Sequence, residues 1–365
     1  MKINYSPITP LAENLPPGTV ICGIPGSGKT FASLNFIYQT LAMGARVFAL
    51  DAKNDLLKLK NTDMGDRLNF IDINNISPGA LDPFFVLDDP STNDIMDVIT
   101  CITGDISDEK RVQITPIVND FVTMNRRSNG DATFEDLVNY LYASDKPEAQ
   151  AIGNELKVNQ DSKYGPLLIG EFDTVNSKRF KLSDQSTVIS LLGLPFPEAT
   201  DTTLTADQRF STAIIYIICK VLNTILAQDN TIPTLLMIDE AHIMFRSQAI
   251  SSITMQFLVL GRSLNVATIL ASQNVTHFPN GIAQFCSTKF AFKLSREEAK
   301  NFLKLFNVSE DLDNESVINT IINFDNENTP GQCFMIDRRG RFGFLHIEST
   351  LTNQITSNPL AKKRN

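Results

Sequence analysis

The feature that most constrains this chain is a glycine-rich turn at residues 23–30 with the pattern G-x-x-x-x-G-K-T. An apolar run precedes the turn and a helical segment follows it. Glycines let the backbone turn tightly, so that consecutive N–H groups converge on a phosphate, and the helix behind adds the positive end of its dipole. The pattern predicts a nucleotide site rather than an ordinary surface turn. The residues expected to contact the nucleotide are Gly23, Pro25, Gly26, Ser27, Gly28, Lys29, Thr30 and Phe31.

The last two residues of the turn carry the phosphate chemistry. A lysine at the position of Lys29 reaches the β- and γ-phosphates of a nucleoside triphosphate, and the hydroxyl of Thr30 ligates Mg²⁺. We therefore expect ATP and Mg²⁺ as ligands, and Lys29 as both a binding and a catalytic group.

A second motif places two acids, Asp239 and Glu240, directly after an apolar run at 234–238. This pattern is typical of a buried parallel strand that delivers carboxylates to its carboxyl end. Beside a phosphate loop, Asp239 is expected to hold Mg²⁺ directly or through water, and Glu240 to polarise the attacking water as general base. The alternative is that the two acids only begin a helix. His242 is better explained as a packed or solvated histidine than as a group that couples the site to its surroundings.

Two other polar side chains follow predicted strands. Gln273 ends the run at 266–271, where an amide can sense the γ-phosphate or orient water, and the alternative is a turn or N-cap role. Asp51 ends the run at 46–51, and it is equally well explained as a group near the ligand edge of an open α/β sheet or as the N-cap of a following helix.

The alternation of apolar runs and helical periodicities predicts an α/β fold with a doubly wound, mainly parallel sheet. Helical periodicity without strand pattern fills residues 89–181, which we interpret as an all-helical insertion, and 81–84 is predicted to be a turn. Residues 251–263 are predicted to form a helix, 289–294 a strand, and 333–347 a hairpin. The resulting division is a first part of the core at 1–88, the insertion at 89–181, a second part of the core at 182–348 and a flexible tail at 349–365.

Composition excludes several classes of protein. Of 365 residues, 42% are hydrophobic and 20% charged, as in soluble globular proteins, and the net charge of −9 gives no overall basic surface for nucleic acid. A local basic channel in a ring is still compatible with this charge. The five cysteines have neither paired nor metal-site spacing, which suits a reducing cytosol and argues against a structural zinc. The apolar stretch at 213–227 is too short and too polar to span a bilayer and is predicted to be a buried helix.

These motifs together resemble the motor domain of type IV secretion and conjugation ATPases of the CagE/TraC family, within the FtsK/HerA group of translocases. The resemblance is carried by residues 23–31, 50–53, 81–83, 238–242 and 261–275. The sequence departs from the family at His242, where an aromatic residue is frequent, and at 82–83, where an Asn-Pro turn is frequent. The family's large N-terminal domain is not in the sequence, so the chain is expected to be either an excised motor domain or a stand-alone relative.

The resemblance implies a RecA-like sheet with helices on both faces, a homo-oligomer that is a hexamer or a dimer, and ATP hydrolysis that drives assembly or transport. In such rings a basic residue crosses to the neighbouring subunit's ATP, and Arg262 is the candidate for this catalytic role, with Arg296 as substitute. The alternative for Arg262 is a cation that interacts with a helix dipole.

The leading functional interpretation is an ATPase that energises a secretion or conjugation machine, located in the cytoplasm and held at the inner face of the membrane by partner proteins. A DNA translocase or helicase of the HerA/FtsK kind is the first alternative, and a nucleotide-gated scaffold with little turnover is the second. A small-molecule kinase is disfavoured because no lid or acceptor motif is visible. The arginines that are candidates to line a DNA pore are Arg126, Arg127, Arg338, Arg339 and Arg341.

Overall fold

The computed structural model describes residues 5–13, 15–104, 106–128, 130–174, 179–198, 201, 203–308, 314–325, 329 and 331–348. The predicted tail at 349–365 lies outside these residues. The strands are β1 (Gly18–Cys22), β2 (Arg46–Asp51), β3 (Asn69–Asp72), β4 (Thr187–Ser190), β5 (Thr234–Ile238), β6 (Val266–Ser272), β7 (Cys286–Ala291), β8 (Gln332–Ile336) and β9 (Phe342–His346). The α-helices are α1 (Thr9–Ala12), α2 (Lys29–Ala42), α3 (Pro83–Val86), α4 (Thr92–Thr103), α5 (Asp108–Arg127), α6 (Phe134–Tyr142), α7 (Pro147–Asn159), α8 (Ala206–Gln228), α9 (Gln248–Val259), α10 (Arg296–Leu305) and α11 (Asn314–Ile322).

The strands form one nine-stranded sheet in the order β3-β4-β2-β5-β6-β1-β7-β8-β9. In this order across the sheet, the six neighbouring pairs between β3 and β7 are parallel. The last two pairs, β7 with β8 and β8 with β9, are antiparallel. The predicted hairpin is this last pair. Because parallel strands are joined by helical crossovers, the middle strands are covered on both faces and every residue of β1, β2, β5 and β6 is buried.

Neighbouring residues of one strand belong to two different apolar clusters, one on each face of the sheet. Ile21 packs with residues of α2, whereas Val20 packs with residues of α8 and of the helices between 92 and 159. The alternation follows from the two-residue period of a strand. The prediction of a doubly wound, mainly parallel sheet is therefore confirmed.

The segment at 89–181 contains α4, α5, α6 and α7, and no strand in its described residues. Helices α4 and α6 begin with capping boxes, made by Ser91 with Asp94 and by Thr133 with Asp136. The apolar side chains of these helices join the cluster that α8 also contributes to. The prediction of an all-helical insertion is confirmed, whereas the residue limits of the four segments stay predictions.

Two of the predicted elements are wrong in position. The strand expected at 289–294 is β7, which begins at Cys286 and ends at Ala291. Its first residues are Cys, Ser and Thr, and they are buried because β7 pairs along β1 rather than because they are apolar. The helix expected at 251–263 ends at Val259, and a Cβ at Gly261 would lie 2.6 Å from the carbonyl oxygens of Phe257 and Val266.

Helix α8 is the one helix in the described residues that is long and apolar enough to cross a membrane, with a mean hydropathy of 1.8 over its most apolar window. In the fold, 72% of that window is buried inside the protein. Packing against the sheet and α4 accounts for its apolar character, which agrees with the predicted buried helix.

Asp82 joins the sheet region to the insertion. The turn predicted at 81–84 is found only in its first part, because a turn ends at Asp82 and α3 begins at Pro83. Asp82 accepts a hydrogen bond from the N–H of Phe84 at 2.9 Å with one oxygen and from the N–H of Phe134 at 2.8 Å with the other. It therefore caps α3 and contacts the first residue of α6 with the same carboxyl group. Burial raises the pKa of Asp82 from 3.8 to about 7, against the opposing effect of these two hydrogen bonds.

We expect the Asp82→Asn substitution to remove part of the pH dependence of folding. Between pH 3.8 and 7 the folded chain binds the Asp82 proton and the unfolded chain does not, so this group's stabilisation is complete below 3.8 and is lost as the pH rises through about 7. The difference in unfolding free energy between the unmodified chain and the Asp82→Asn chain should fall by about 4 kcal/mol from pH 4 to pH 8. Denaturant titrations across this range measure it, and a difference that stays constant would contradict the assignment.

Candidate nucleotide-binding site

The glycine-rich turn connects the carboxyl end of β1 to the first residue of α2, as the motif predicts. Gly28 is the N-cap of α2 and has φ +103°, a backbone conformation that residues other than glycine rarely adopt. A Cβ at Gly23 would lie 2.4 Å from Oγ of Ser27 and 2.8 Å from Cβ of Phe292. The first N–H groups of α2 have no intrahelical acceptor, so this turn presents donors and the positive end of a dipole at the carboxyl edge of the sheet.

Lys29 lies across its own turn. It is buried, and its Nζ donates to the carbonyl oxygens of Gly23 and, at 3.1 Å, Ile24. Burial lowers the pKa of Lys29, and the Glu240 carboxylate opposes this effect. The ammonium is therefore held by neutral carbonyl groups beside an acid, an arrangement in which phosphate oxygens would be stronger partners.

The other predicted contacts are distributed around the turn. Pro25 and Gly26 are exposed, Ser27 is buried and Phe31 is half-buried. Oγ of Ser27 has no hydrogen-bond partner in the described part of the chain, and Oγ1 of Thr30 donates to Oδ2 of Asp55 at 3.4 Å. A buried hydroxyl without a partner is unfavourable, so its presence beside donor N–H groups supports a phosphate ligand.

The strand register brings the two motifs together. Cys22 pairs with Ser272, Leu270 with Ile238, and Ile238 with Leu50. Strand β6 thus lies between the strands that carry the phosphate loop and the two acids, and all of them end at the same edge. The ends of β1, β2, β5 and β6 therefore surround one site.

Asp239 is buried at this edge and its N–H donates to the carbonyl oxygen of Leu50 at 3.0 Å. Burial, followed by the charges of the Glu240 and Asp51 carboxylates, raises the pKa of Asp239 to about 7. A cluster of acids of this kind is stabilised by a bound cation. Among the described residues, no group of three or more His, Cys, Asp or Glu side chains could hold a metal ion alone.

Glu240 occupies a strained and buried position. Its φ is +54°, and its side chain is 5% exposed. Oε1 accepts from Nε2 of Gln273 and forms an ion pair with Nζ of Lys53, whereas Oε2 lies 3.4 Å from Nδ1 of His242 without a hydrogen bond of normal geometry. Burial raises the pKa of Glu240, but the contacts with His242, Lys53 and Gln273 outweigh it and lower the pKa to about 2.

The remaining polar candidates at this edge have different partners. The Gln273 side chain contacts Glu240 rather than capping the following turn, which begins at Asn274. Asp51 is fully buried and accepts from the N–H groups of Lys53, Asp55 and Leu56, so its contacts favour the capping interpretation. His242 is half-buried and packs against His277, with 4.9 Å between the ring centroids.

Lys53 is the one residue of this cluster whose role the sequence reasoning missed. The signal was present, because Lys53 follows the buried strand β2 by two residues, and β2 is the direct neighbour of β5. Sequence alone did not reveal that these two strands are neighbours, since 182 residues separate the end of β2 from the start of β5.

The two arginines proposed for trans catalysis lie at opposite edges of the sheet. Arg262 precedes β6, whereas Arg296 follows the carboxyl end of β7, which is parallel to β1. Arg262 is exposed and lies between the end of α9 and the start of β6, whereas Gln273 follows the opposite end of β6. The seven residues of β6 span about 23 Å. Arg296 begins α10 and pairs with Glu315 and, at 3.1 Å, Asn319.

Three of the five arginines considered for a DNA pore are paired with acids of the same chain. Their partners are Asp89 for Arg126, Glu13 for Arg338 and Asp337 for Arg341. Arg127 and Arg339 are exposed. Intramolecular pairing reduces the positive potential that these side chains would offer to a phosphate backbone.

Comparisons with known proteins agree with this architecture. A sequence model described as AAA-like domain matches residues 12–355. VirB4 of Thermoanaerobacter pseudethanolicus has a similar structure, with a TM-score of 0.70 at 15% identity over 93% of this chain and 91% of that one. The bacterial conjugative coupling protein TrwB is similar with a TM-score of 0.58 at 13% identity over 92% and 86%. A structure of TrwB in complex with ADP and Mg²⁺ has a TM-score of 0.56 at 14% identity over the same shares. No curated protein sequence matches the chain.

The family model covers nearly the whole chain, and the likeness to VirB4 and TrwB extends over more than nine tenths of it. The resemblance to secretion and conjugation ATPases drawn from the motifs is therefore confirmed at the level of the fold. The phosphate loop of β1 and the acids of β5 lie at the carboxyl edge of the sheet, where open α/β folds bind their ligands, and TrwB, which shares the fold, has been solved in complex with nucleotides. The chain belongs to the AAA-like domain family.

Proposed function

We propose that the chain is an ATP-hydrolysing motor domain that energises a type IV secretion or conjugative transfer machine. The observation that carries the proposal is the strand register, which collects the phosphate loop, Asp239, Glu240 and Gln273 at one edge of the sheet. The fold shared with VirB4 and TrwB supports the assignment to secretion or conjugation rather than to another process.

In the proposed reaction, the loop amides and Lys29 bind the phosphates. Thr30 and Asp239 would hold Mg²⁺, which would supply positive charge against the charge that builds on the phosphoryl group. Glu240 takes a proton from the attacking water, whose oxygen forms a bond to the γ-phosphorus while the bond from that phosphorus to the ADP oxygen breaks. Gln273 contacts Glu240 and is placed to orient the carboxylate or the water.

The proposal includes a homo-oligomer, with a hexamer as the expected form, because the resemblance to the FtsK/HerA group implies a ring. It also includes partner proteins of a membrane-associated complex that hold a cytoplasmic chain at the inner face of the membrane. The net charge of −9 and the pairing of Arg126, Arg338 and Arg341 make DNA a less favoured partner than protein.

The experiment that tests this function measures Mg²⁺-dependent ATP hydrolysis with and without single- and double-stranded DNA, on samples whose mass is determined by light scattering. We expect turnover that requires Mg²⁺ and changes by less than about twofold with DNA, because the surface lacks an overall basic patch. Strong stimulation that weakens with salt would replace the proposal with a DNA translocase. Tight nucleotide binding without turnover would replace it with a scaffold.

A further inference from the structure

The carboxylate of Glu240 has an unequal distribution of partners. Oε1 is contacted by both Lys53 and Gln273, whereas Oε2 is buried without a normal hydrogen bond. The Lys53 side chain is 46% exposed and that of Glu240 is 5% exposed. Lys53 therefore reaches from the open side of the site to neutralise a buried charge that would be unfavourable alone.

Lys53 also lies at the same edge of the sheet as Lys29, because β2 and β1 both end there. The two lysines interact electrostatically, because the charge of Lys53 lowers the pKa of Lys29 after the larger effect of burial, and both ammonium groups interact with Asp239. Lys29 donates to its own loop and Lys53 pairs with Glu240. A triphosphate bound on the loop would bring the charge of its terminal phosphate near both cations.

The present pairing of Glu240 is unsuited to catalysis. A carboxylate that already contacts an ammonium and an amide through Oε1 has part of its charge neutralised, and a general base must instead direct that charge at the attacking water. Some other anion must therefore take over Lys53 before Glu240 can act. The γ-phosphate is the anion that the proposed reaction supplies.

We propose that Lys53 is a positioning residue that senses the γ-phosphate. It pairs with Glu240 when the terminal phosphate is absent. When a triphosphate binds, the Lys53 ammonium pairs with that phosphate instead, which frees Glu240 for the water. This inference rests on the proposed nucleotide site. ADP lacks the terminal phosphate, so the ion pair with Glu240 persists in the ADP-bound chain. The base is then released only when there is a bond to hydrolyse.

The first test compares the binding of a non-hydrolysable ATP analogue and of ADP, both with Mg²⁺, to the full chain and its Lys53→Gln and Lys53→Arg variants. We expect Lys53→Gln to weaken analogue binding about tenfold and ADP binding less than about twofold, with most of the loss restored in Lys53→Arg. The Lys220→Gln variant is the matched control, because it removes a lysine that pairs with Asp94 at 2.6 Å on helices away from the phosphate loop. It should change neither affinity.

The second test is a double-mutant cycle of Lys53→Gln and Glu240→Gln, read as analogue affinity. If binding must break the ion pair, Glu240→Gln tightens analogue binding by about threefold more in chains that keep Lys53 than in chains that carry Lys53→Gln. Equal loss of ADP and analogue affinity in Lys53→Gln, or an additive cycle, would overturn the sensing role while nucleotide binding itself persists. Failure of the unmodified chain to bind either nucleotide would instead overturn the nucleotide site, and the role of Lys53 with it.

Discussion

The Glu240→Gln chain is expected to bind ATP at least as tightly as the unmodified chain and to hydrolyse it about 10²–10⁴ times more slowly. Glutamine preserves the size of the side chain and still offers an oxygen to Lys53 and Gln273, so the buried contacts of Glu240 largely persist. It cannot accept a proton from water. A group that contributes only to the chemical step lowers kcat without weakening substrate binding.

Lys29→Ala provides the contrasting result. Lys29 is expected to contact phosphate oxygens in the ground state and in the transition state, so its removal should weaken nucleotide binding as well as turnover. Glu135→Gln, an exposed glutamate in the first turn of α6, is the control for the charge change alone and should leave both quantities unchanged. Turnover of Glu240→Gln at the unmodified rate would reject Glu240 as the base and leave Asp239 as the nearest candidate carboxylate.

The parts of the site that could be predicted from sequence are those whose chemistry is local. The spacing of Gly23, Gly28 and Lys29 is set by one turn of backbone, and Asp239 and Glu240 follow a strand that is recognisable from its apolar run. Each feature needs only residues that are close in sequence, so its residue pattern can be recognised from the sequence alone.

What the sequence does not carry is the order of the strands. Strand β2 lies beside β5, and β6 separates β5 from β1, although the chain visits them in a different order. The contact between Lys53 and Glu240 depends on that order, since the two residues are 187 positions apart. The prediction misplaced strand β7 for a related reason, because Thr288 is buried by pairing with Thr19 of β1 and not by its own hydropathy.

Arg262→Ala is the second substitution with a large expected effect, a loss of about 10³-fold in turnover if this arginine acts on a neighbouring subunit's ATP. Arg262 is exposed at the edge of the sheet where β6 begins, whereas the nucleotide site of the same chain lies where β6 ends. This placement suits action across a subunit boundary, because a ring joins unlike surfaces of neighbouring copies. A guanidinium can meet two γ-phosphate oxygens with its planar fork as charge builds in the transition state.

The competing explanation is that Arg262 only stabilises the end of α9, where a cation contributes roughly 0.3–1 kcal/mol. Thermal unfolding of Arg262→Ala measures that contribution and should show a small change under either explanation. Arg296→Ala is the companion variant, since Arg296 is the substitute candidate and is paired with Glu315 of its own chain. We expect Arg296→Ala to retain most of its turnover, and a severe loss there together with normal turnover of Arg262→Ala would move the trans role to Arg296.

Mixing Arg262→Ala subunits with Glu240→Gln subunits separates action in trans from action within one chain. Each variant is nearly inactive alone, but a mixed ring contains boundaries at which an intact Glu240 on one side meets an intact Arg262 on the other. Random mixing in equal amounts makes about one boundary in four competent, so activity should return to about a quarter of the unmodified rate. If Arg262 acts within its own chain, every subunit in the mixture carries one defect and no activity returns. Absence of recovery in rings shown by mass to be mixed, together with full turnover by the monomer, would therefore remove the trans role.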